Sequence, residues 1–443
     1  MKTKMSLGKI LSFGMAAVTS NMVNQFNSLF LLVFFTDALR INPLLAGTIY
    51  TAVGWLSAGS DTVVGIVSDR TGYYKRWVFW GTAVASVLFF LVYVTFDASQ
   101  SVKTIYASGM FLLFTFATSC FIIPYNAMTS ALTTDGETRT KLNAARFAFL
   151  TIPSIAISVV TPYLSGGQSD NTYFIAAFIF GIIAFAFVLP TAIWVEEPKV
   201  PVEAGKKQSL KASLKSIAGN KQLLLIGGTY FIYALGFYIY MSTMNYFFQY
   251  NYGSMTMMSR ILFMNAPLSL VVSLSVPFVI KALGKKRSLV VSALVFGAAM
   301  LMIMSFPTNG VIVFAGNFVA LFLLNLMSPM LTIMMMDAID YGVWQTGENV
   351  RAASFAAISV MGRFATGLSG TIIGVCLTAF GYVANAEQTA RALFGIRISY
   401  CLVPVILFIC IAIAIGFGWK LSEKRMDEIA ADLESRANSA TEK

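Results

Sequence analysis

The sequence contains no histidine and only four cysteines in 443 residues. Without imidazole, histidine-based metal sites and proton relays are excluded. Cys120, Cys376, Cys401 and Cys410 show no CxxC-type spacing and fall inside apolar runs. They read as packing residues rather than disulfides or metal ligands. Charge is also scarce. Asp, Glu, Lys and Arg make up 12% of the chain, about half the share of a soluble domain. No nucleophile–base pair, phosphate loop or metal cluster is apparent, which argues against an enzyme and against any cofactor or bound metal. Residues 1–9 are basic and precede an apolar run, but that run continues past position 30 as a full span, so no cleaved signal peptide is expected.

What is present is long apolar sequence. Hydrophobic residues make up 57% of the chain and the mean hydropathy is +0.74. A spanning helix needs about 20 mostly apolar residues. Twelve such runs are found, near 10–36, 43–67, 77–97, 102–128, 143–165, 172–195, 222–247, 258–282, 287–306, 309–335, 352–381 and 394–419. They are continuous and much longer than the roughly ten alternating residues of a barrel strand, so the expected class is all-α and polytopic.

The net charge of +11 could suggest nucleic acid, but its distribution does not. The N-terminal segment, the loops after even-numbered runs and the tail hold nearly all the lysine and arginine. The opposite side has only Arg40, Lys103, Arg260 and Arg391. This asymmetry is the positive-inside pattern and predicts both termini in the cytoplasm, as in a bacterial inner-membrane protein. The partner it implies is a lipid bilayer, not nucleic acid.

The loop 196–221, rich in Lys and Glu, divides the runs six and six. The expected organisation is a six-helix bundle over 1–195, the cytoplasmic loop 196–221, a second bundle over 222–419 and a cytoplasmic tail over 420–443. Two six-helix halves are the pattern of a major facilitator. A faint internal echo supports it. "SDRTGYYKRW" follows run 2 and "KALGKKRSLV" follows run 8, both glycine-plus-basic turns. In the first, Asp69 and Arg70 precede Gly72 in the manner of the facilitator loop motif, where charges can pair across when the cytoplasmic side is shut. Asp337 and Asp340 end run 10 and are expected to face the basic loops around Arg139 and Lys285–Arg287, with Lys286 singled out among them. The competing reading is ordinary surface pairing, worth under ~1 kcal/mol.

Of the 20 acidic residues, only Asp61 falls near the middle of a run, in "GWLSAGSDTVVGIVSDR". A charge there costs about 2.5–3.5 kcal/mol or more on insertion scales and usually faces a cavity. The plainer reading is a buried Asp held by Ser57 or Ser60 that glues helices together. Two arginines belong with it: Arg363, inside run 11, and Arg146, which opens run 5 and could instead snorkel to the interface. Polar residues gather in runs 1, 4 and 10, among them Asn21, Gln25, Tyr125, Asn126 and Ser328. Run 1 is too polar for a lipid-facing helix, so part of it should line a water-filled path.

Several stretches resemble one family. "IIPYNAMTSALTTDGETRTKLNAARF" (122–147), "MMDAIDYGVWQTGENVRAASF" (335–355), "FGYVANAEQTARALFGIRISYCLVP" (380–404) and "FFTDALRINPLLAGTIY" (34–50) are similar to the glycoside-pentoside-hexuronide:cation symporters, which include the melibiose and glucuronide permeases. The likeness covers essentially the whole chain. It implies sugar or glycoside uptake coupled to Na⁺ or H⁺ by alternating access. It also implies a coupling site of two acids one turn apart on helix 2, helped by helix 4. Here the later acid matches Asp61, the earlier falls at Ser57, a nearby Asn at Ser60, and the helix 4 hydroxyl at Ser119. Sugar-contacting acids of the family fall at Asn21 and Ile122. Its helix 5 arginine matches Arg146, and its basic residue on helix 11 falls at Arg363. Ala353 replaces a Glu of the family.

These departures carry the functional expectation. Three acids are gone while both cations remain, so Asp61, Arg146 and Arg363 leave the site at +1, which favours an anionic solute. With Arg146 and Arg363, the set expected to hold the sugar is Asn21, Gln25, Tyr125, Asn126, Ser328 and Ser359. A bare Na⁺ prefers several oxygens, and Asp61 with Ser57, Ser60 and Ser119 is thin for it. A lone carboxyl in an apolar surround can take up a proton near neutral pH. The sequence therefore predicts a monomeric proton-coupled symporter of an acidic sugar. The alternatives are an Na⁺-coupled symporter of neutral glycosides and a transport-inactive sensor of the same fold.

Overall fold

The computed structural model describes residues 5–132, 136–149, 151–164, 171–196, 218–346, 351–429 and 431–432. Most of the central loop and the end of the tail lie outside them. Among the described residues the chain is helical, and every one of the twelve apolar runs is occupied by helix. We number the helices α1 (Leu7–Val33), α2 (Pro43–Thr71), α3 (Tyr74–Val92), α4 (Gln100–Ala131), α5 (Gly136–Phe149), α6 (Thr151–Val160), α7 (Thr172–Trp194), α8 (Lys221–Tyr246), α9 (Met255–Leu283), α10 (Lys285–Ser305), α11 (Gly310–Thr346), α12 (Arg351–Ala379), α13 (Ala390–Arg397) and α14 (Val403–Gly418). Three π-helical turns extend them: Phe34–Ala38 after α1, Phe247–Tyr252 after α8, and Ile398–Leu402 between α13 and α14.

Nine helical stretches of the described residues are long and apolar enough to cross a membrane. The bent Met255–Leu283 helix makes a tenth if its two parts count as one span. The two long helices that fall short, α1 and α2, are those that carry the asparagines of run 1 and Asp61. The polarity of α1 is that expected of a helix lining a water-filled path.

The chain divides into two compact units. The first comprises Met1–Glu203, Met241–Pro267 and Gly367–Tyr400; the second comprises Ala204–Tyr240, Leu268–Thr366 and Cys401–Lys443. In the first unit, aromatic rings fill the space among α1, α3 and α7. Phe26 meets Phe89, Tyr93 and Phe180 edge-on, and the Tyr93 hydroxyl donates to Asn27 Oδ1 at 2.7 Å. Buried rings bring large apolar area, and a buried phenol needs such a partner.

Small residues set the closest helix crossings, as expected where lipid supplies no hydrophobic drive between helices. A Cβ on Gly47 of α2 would lie 2.2 Å from the Gly370 oxygen of α12, and one on Gly374 would lie 2.4 Å from the Pro43 oxygen. Thr51 fastens the same crossing by donating to Gly367 O at 2.6 Å. In the second unit, Tyr240 donates to Asn317 Oδ1 at 2.7 Å and Phe296 packs on Phe408.

Candidate functional site

Ser57, Ser60 and Asp61 share one face of α2 by their i, i+3, i+4 spacing. Ser57 is 2% exposed and donates to Gly54 O at 2.7 Å; Ser60 donates to Ser57 O at 2.8 Å. Across the α2–α4 contact, the Ser60 and Ser119 hydroxyl oxygens stand 3.4 Å apart, and Ser119 also donates to Thr115 O. The structure thus brings Ser60 and Ser119 together, and Asp61, the next residue of α2 after Ser60, is half-buried. Serines bonded back to their own helix have used their proton but keep acceptor lone pairs. They can offer oxygens to a cation or hydronium, but not donors to a carboxylate.

Arg146 sits in the last turn of α5. Its guanidinium lies 4.7 Å from the centre of the Tyr125 ring, and Nη2 donates to Asn126 Oδ1 at 2.7 Å. Tyr125, 1% exposed, is itself fixed by its hydroxyl on Phe13 O at 2.8 Å and by stacking on Phe121. Pro124, which removes one ladder bond of α4, immediately precedes the pair. Three of the expected sugar-contacting residues therefore form one assembly. A planar cation stacked on a ring and held by an amide is preorganised to present its fork of donors to an anion. The α1–α5 contact that sets its position is made by Gly14, where a Cβ would fall 2.8 Å from the Ala145 backbone.

On α1, Asn21 donates to Ala17 O at 3.2 Å, and Gln25 Oε1 accepts from Ser154 Oγ at 3.1 Å. Both remain half-buried. In the second unit, Ser328 and Arg363 are half-buried on α11 and α12. The side chain of Ser359 lies outside the described residues, as do those of Asp69 and Arg139. Arg70 is exposed.

One acid of α11 meets the expected basic cluster, through its first lysine rather than through Lys286. Lys285 Nζ bonds Asp337 Oδ2 at 2.6 Å, with side chains 18% and 14% exposed. Lys286 turns away and donates to Trp419 O at 3.1 Å. Asp340 is half-buried. The Lys285–Asp337 pair joins α10 to α11 inside the second unit.

Sequence reading overlooked a second carboxylate. Asp37, at the end of run 1, is 7% exposed. Oδ1 accepts from the Thr36 and Tyr382 hydroxyls at 2.7 and 2.6 Å, and Oδ2 accepts from Tyr250 at 2.6 Å. Tyr246 bonds Thr36 at 2.8 Å, and Asn385 donates its amide to the Asp37 carbonyl at 2.6 Å. All of these belong to the first unit. The described partners of the carboxylate are uncharged hydroxyls, which satisfy its lone pairs with short charge-assisted bonds. The signal was in the sequence: "FFTDA", "YFFQYNY" and "FGYVAN" place hydroxyl and amide groups at the ends of three runs.

Membrane-length helices, a buried and a half-buried acid and a guanidinium fixed on a ring suit a membrane transporter. The sequence pattern of the MFS/sugar transport protein family matches residues 12–423. The chain belongs to that family. Among its relatives, the uncharacterized symporter YjmB of Bacillus subtilis (strain 168) is 28% identical, with 98% of this chain and 96% of the relative covered. A candidate sulfoquinovose importer of Escherichia coli (strain K12) is 26% identical, covering 98% and 95%. The isoprimeverose transporter of Lactiplantibacillus pentosus is 26% identical, covering 96% and 91%. The solved nucleoside transporter NupG, in a point-mutant form, shares the fold with a TM-score of 0.66 at 15% identity, covering 93% and 99% of the two chains. The protein is a multi-pass membrane transporter of the sugar symporter type.

Proposed function

We propose that the chain is a proton-coupled symporter of an acidic sugar, working by alternating access with both termini in the cytoplasm. The observation that carries this reading is Arg146, stacked on Tyr125 and tethered by Asn126. A guanidinium fixed in this way recognises a carboxylate or sulfonate bidentately and does little for a neutral hydroxyl. With Arg363 as the second cation and Asp61 as the carboxylate, the set carries +1, and an anionic solute restores neutrality. Asn21, Gln25 and Ser328 would hold sugar hydroxyls. Sulfoquinovose, named for one relative, is a sulfonate-bearing hexose and fits this scheme. Isoprimeverose, named for another, is neutral and favours the alternative.

Asp61 is the proposed proton carrier, with Ser60 and Ser119 as its polar surround. The specific observation favouring Na⁺ instead is the 3.4 Å pair of Ser60 and Ser119 hydroxyls, one of them on the residue before Asp61, since hard cations collect oxygens. Asp37 and its tyrosines are the proposed outer lock. They tie the end of α1 to the segments after α8 and α12, and must part when the outer side opens. Domain boundaries near 195 and 222 accompany this reading.

The test is uptake into proteoliposomes of neutral, carboxylated and sulfonated glycosides, at several pH values, with and without Na⁺. The proposal expects acidic sugars to be concentrated by an inward proton gradient without Na⁺. Uptake of neutral glycosides alone, or strict Na⁺ dependence, replaces it with the alternative. No counterflow of any sugar would mean a sensor.

A further inference from the structure

At the turn between α9 and α10, the second unit has a cavity of about 680 Å³. Lys281, Lys286, Arg287 and Lys420 line it, against a single carboxylate, Glu423. That carboxylate is already engaged: Oε1 accepts the backbone N–H of Lys285 at 2.9 Å. Lys286 reaches Trp419 O across the cavity, while Lys281, Arg287 and Lys420 remain exposed. Lys285, the remaining cation of the turn, is spent on Asp337.

The cavity is shaped rather than incidental. Gly284 caps the start of α10 with a positive φ of 76°, which favours glycine, and a Cβ there would come within 3.0 Å of the Glu423 carboxylate. The turn is thus packed directly onto the segment after α14. The three helices that meet here, α9, α10 and α14, all end or begin at the cavity, so it lies at the level where spanning helices leave the hydrocarbon. Its wall is not only charged. Ile280, Leu283 and Leu421 contribute apolar surface. Phe278 on α9 and Phe417 on α14, each two residues before a residue that lines the cavity (Ile280 and Trp419), are among the most exposed large side chains.

Cations above and exposed apolar side chains below form the complement of a phospholipid, with phosphate at the interface and acyl chains along the helices. Basic pockets between spanning helices at this depth hold anionic headgroups. We propose that this cavity is a binding site for an anionic phospholipid, its phosphate held by Lys281, Arg287 and Lys420 and its chains laid along Phe278 and Phe417. The assignment rests on the membrane location of the chain and on none of the substrate reading.

Native mass spectrometry of the full chain, taken from vesicles of equal cardiolipin and phosphatidylcholine, tests it. The parent should retain cardiolipin in preference to phosphatidylcholine, and its melting temperature should rise with cardiolipin by mass action. The K281Q/R287Q/K420Q variant should lose that retention by at least about tenfold, because it removes all three cations assigned to the phosphate. The charge-preserving K281R/R287K/K420R variant should keep it, which separates charge from folding. Retention unchanged in the glutamine variant overturns the proposal. So does a parent that prefers neither lipid, or one that is stabilised by millimolar pyrophosphate but not by cardiolipin.

Discussion

The two compact units repeat one small device. In the first, Lys75 after the Gly72 turn donates to the carbonyl of Val195 at 3.0 Å. In the second, Lys286 after the Gly284 turn donates to the carbonyl of Trp419 at 3.1 Å. Val195 and Trp419 are the C-cap residues of the helices that close the sixth and twelfth runs. Both are extended, and the amide of each bonds back four residues. Gly72 and Gly284 both have positive φ, 68° and 76°, but their ψ angles are 1° and 156°: Gly72 caps the end of α2 in the left-handed region, and Gly284 caps the start of α10 in an extended one. A cation placed on an orphan C-terminal carbonyl also complements the helix dipole. The faint echo between the two loop sequences therefore extends to a lysine set on an extended helix cap, while the glycine turns that precede it differ. The units differ in what is built on this scaffold. The first carries Asp37, Asp61 and the Arg146 assembly. The second carries Arg363, the Lys285–Asp337 pair and the basic cavity.

If ion and anion chemistry is concentrated in the first unit, substitutions there should act on transport and their counterparts on stability. The largest expected effect is Asp61→Asn, which should abolish accumulation above the outside concentration while counterflow persists; Asp337→Asn should leave accumulation intact. Vesicle uptake with an imposed proton gradient decides between them, and normal concentrative uptake by Asp61→Asn with an unchanged pH response ends the proton-carrier assignment. Next is Arg146→Gln. Loss of charge-assisted hydrogen bonds worth about 1.5–3 kcal/mol should raise the apparent KM for an acidic sugar roughly 10–100-fold. Neutral glycosides, if carried at all, should be little affected.

Smaller effects sharpen the contrast. Tyr382→Phe removes one hydroxyl from Asp37 and leaves Oδ1 with a single described donor. It should lower thermal stability by about 1–3 kcal/mol and increase labelling of a cysteine placed near Asn385. Lys285→Gln should cost about 1–3 kcal/mol, between exposed and buried pairs, because Asp337 stays largely out of water. The smallest and most telling comparison is Lys75→Met against Lys286→Met. Each should cost about 0.3–1 kcal/mol, and the two should agree if the caps are equivalent. Chemical denaturation in detergent reads both.

Much of this was legible in the sequence. The apolar runs gave the helices because length and continuity leave few alternatives in a bilayer. Asp61 and Arg146 stood out because charge in such runs is costly, and Tyr125 and Asn126 as polar residues inside run 4, though nothing in the sequence tied them to Arg146. Other features were not legible, because they depend on geometry finer than a run boundary. Which of Lys285 and Lys286 meets Asp337 is decided at the first turn of α10, where successive residues point about 100° apart. Asp37 looked like the solvated end of a helix. Its burial depends on turns from α8 and α12 that lie more than 200 residues away in the chain.

Two of the π turns have a consequence of their own. Phe34–Ala38 and Phe247–Tyr252 carry Asp37 and Tyr250 respectively, so widened turns present both partners of one 2.6 Å bond. A widened turn holds one residue more than the α-helix needs. Tightening either one would rotate its side chains by about 100° and advance them by about 1.5 Å. The two partners can therefore separate by a slip of register within the helix ends, while the rods themselves stay straight. Deleting a single residue from either segment should mimic that slip permanently, leaving a chain that folds with its aspartate turned away from the phenols.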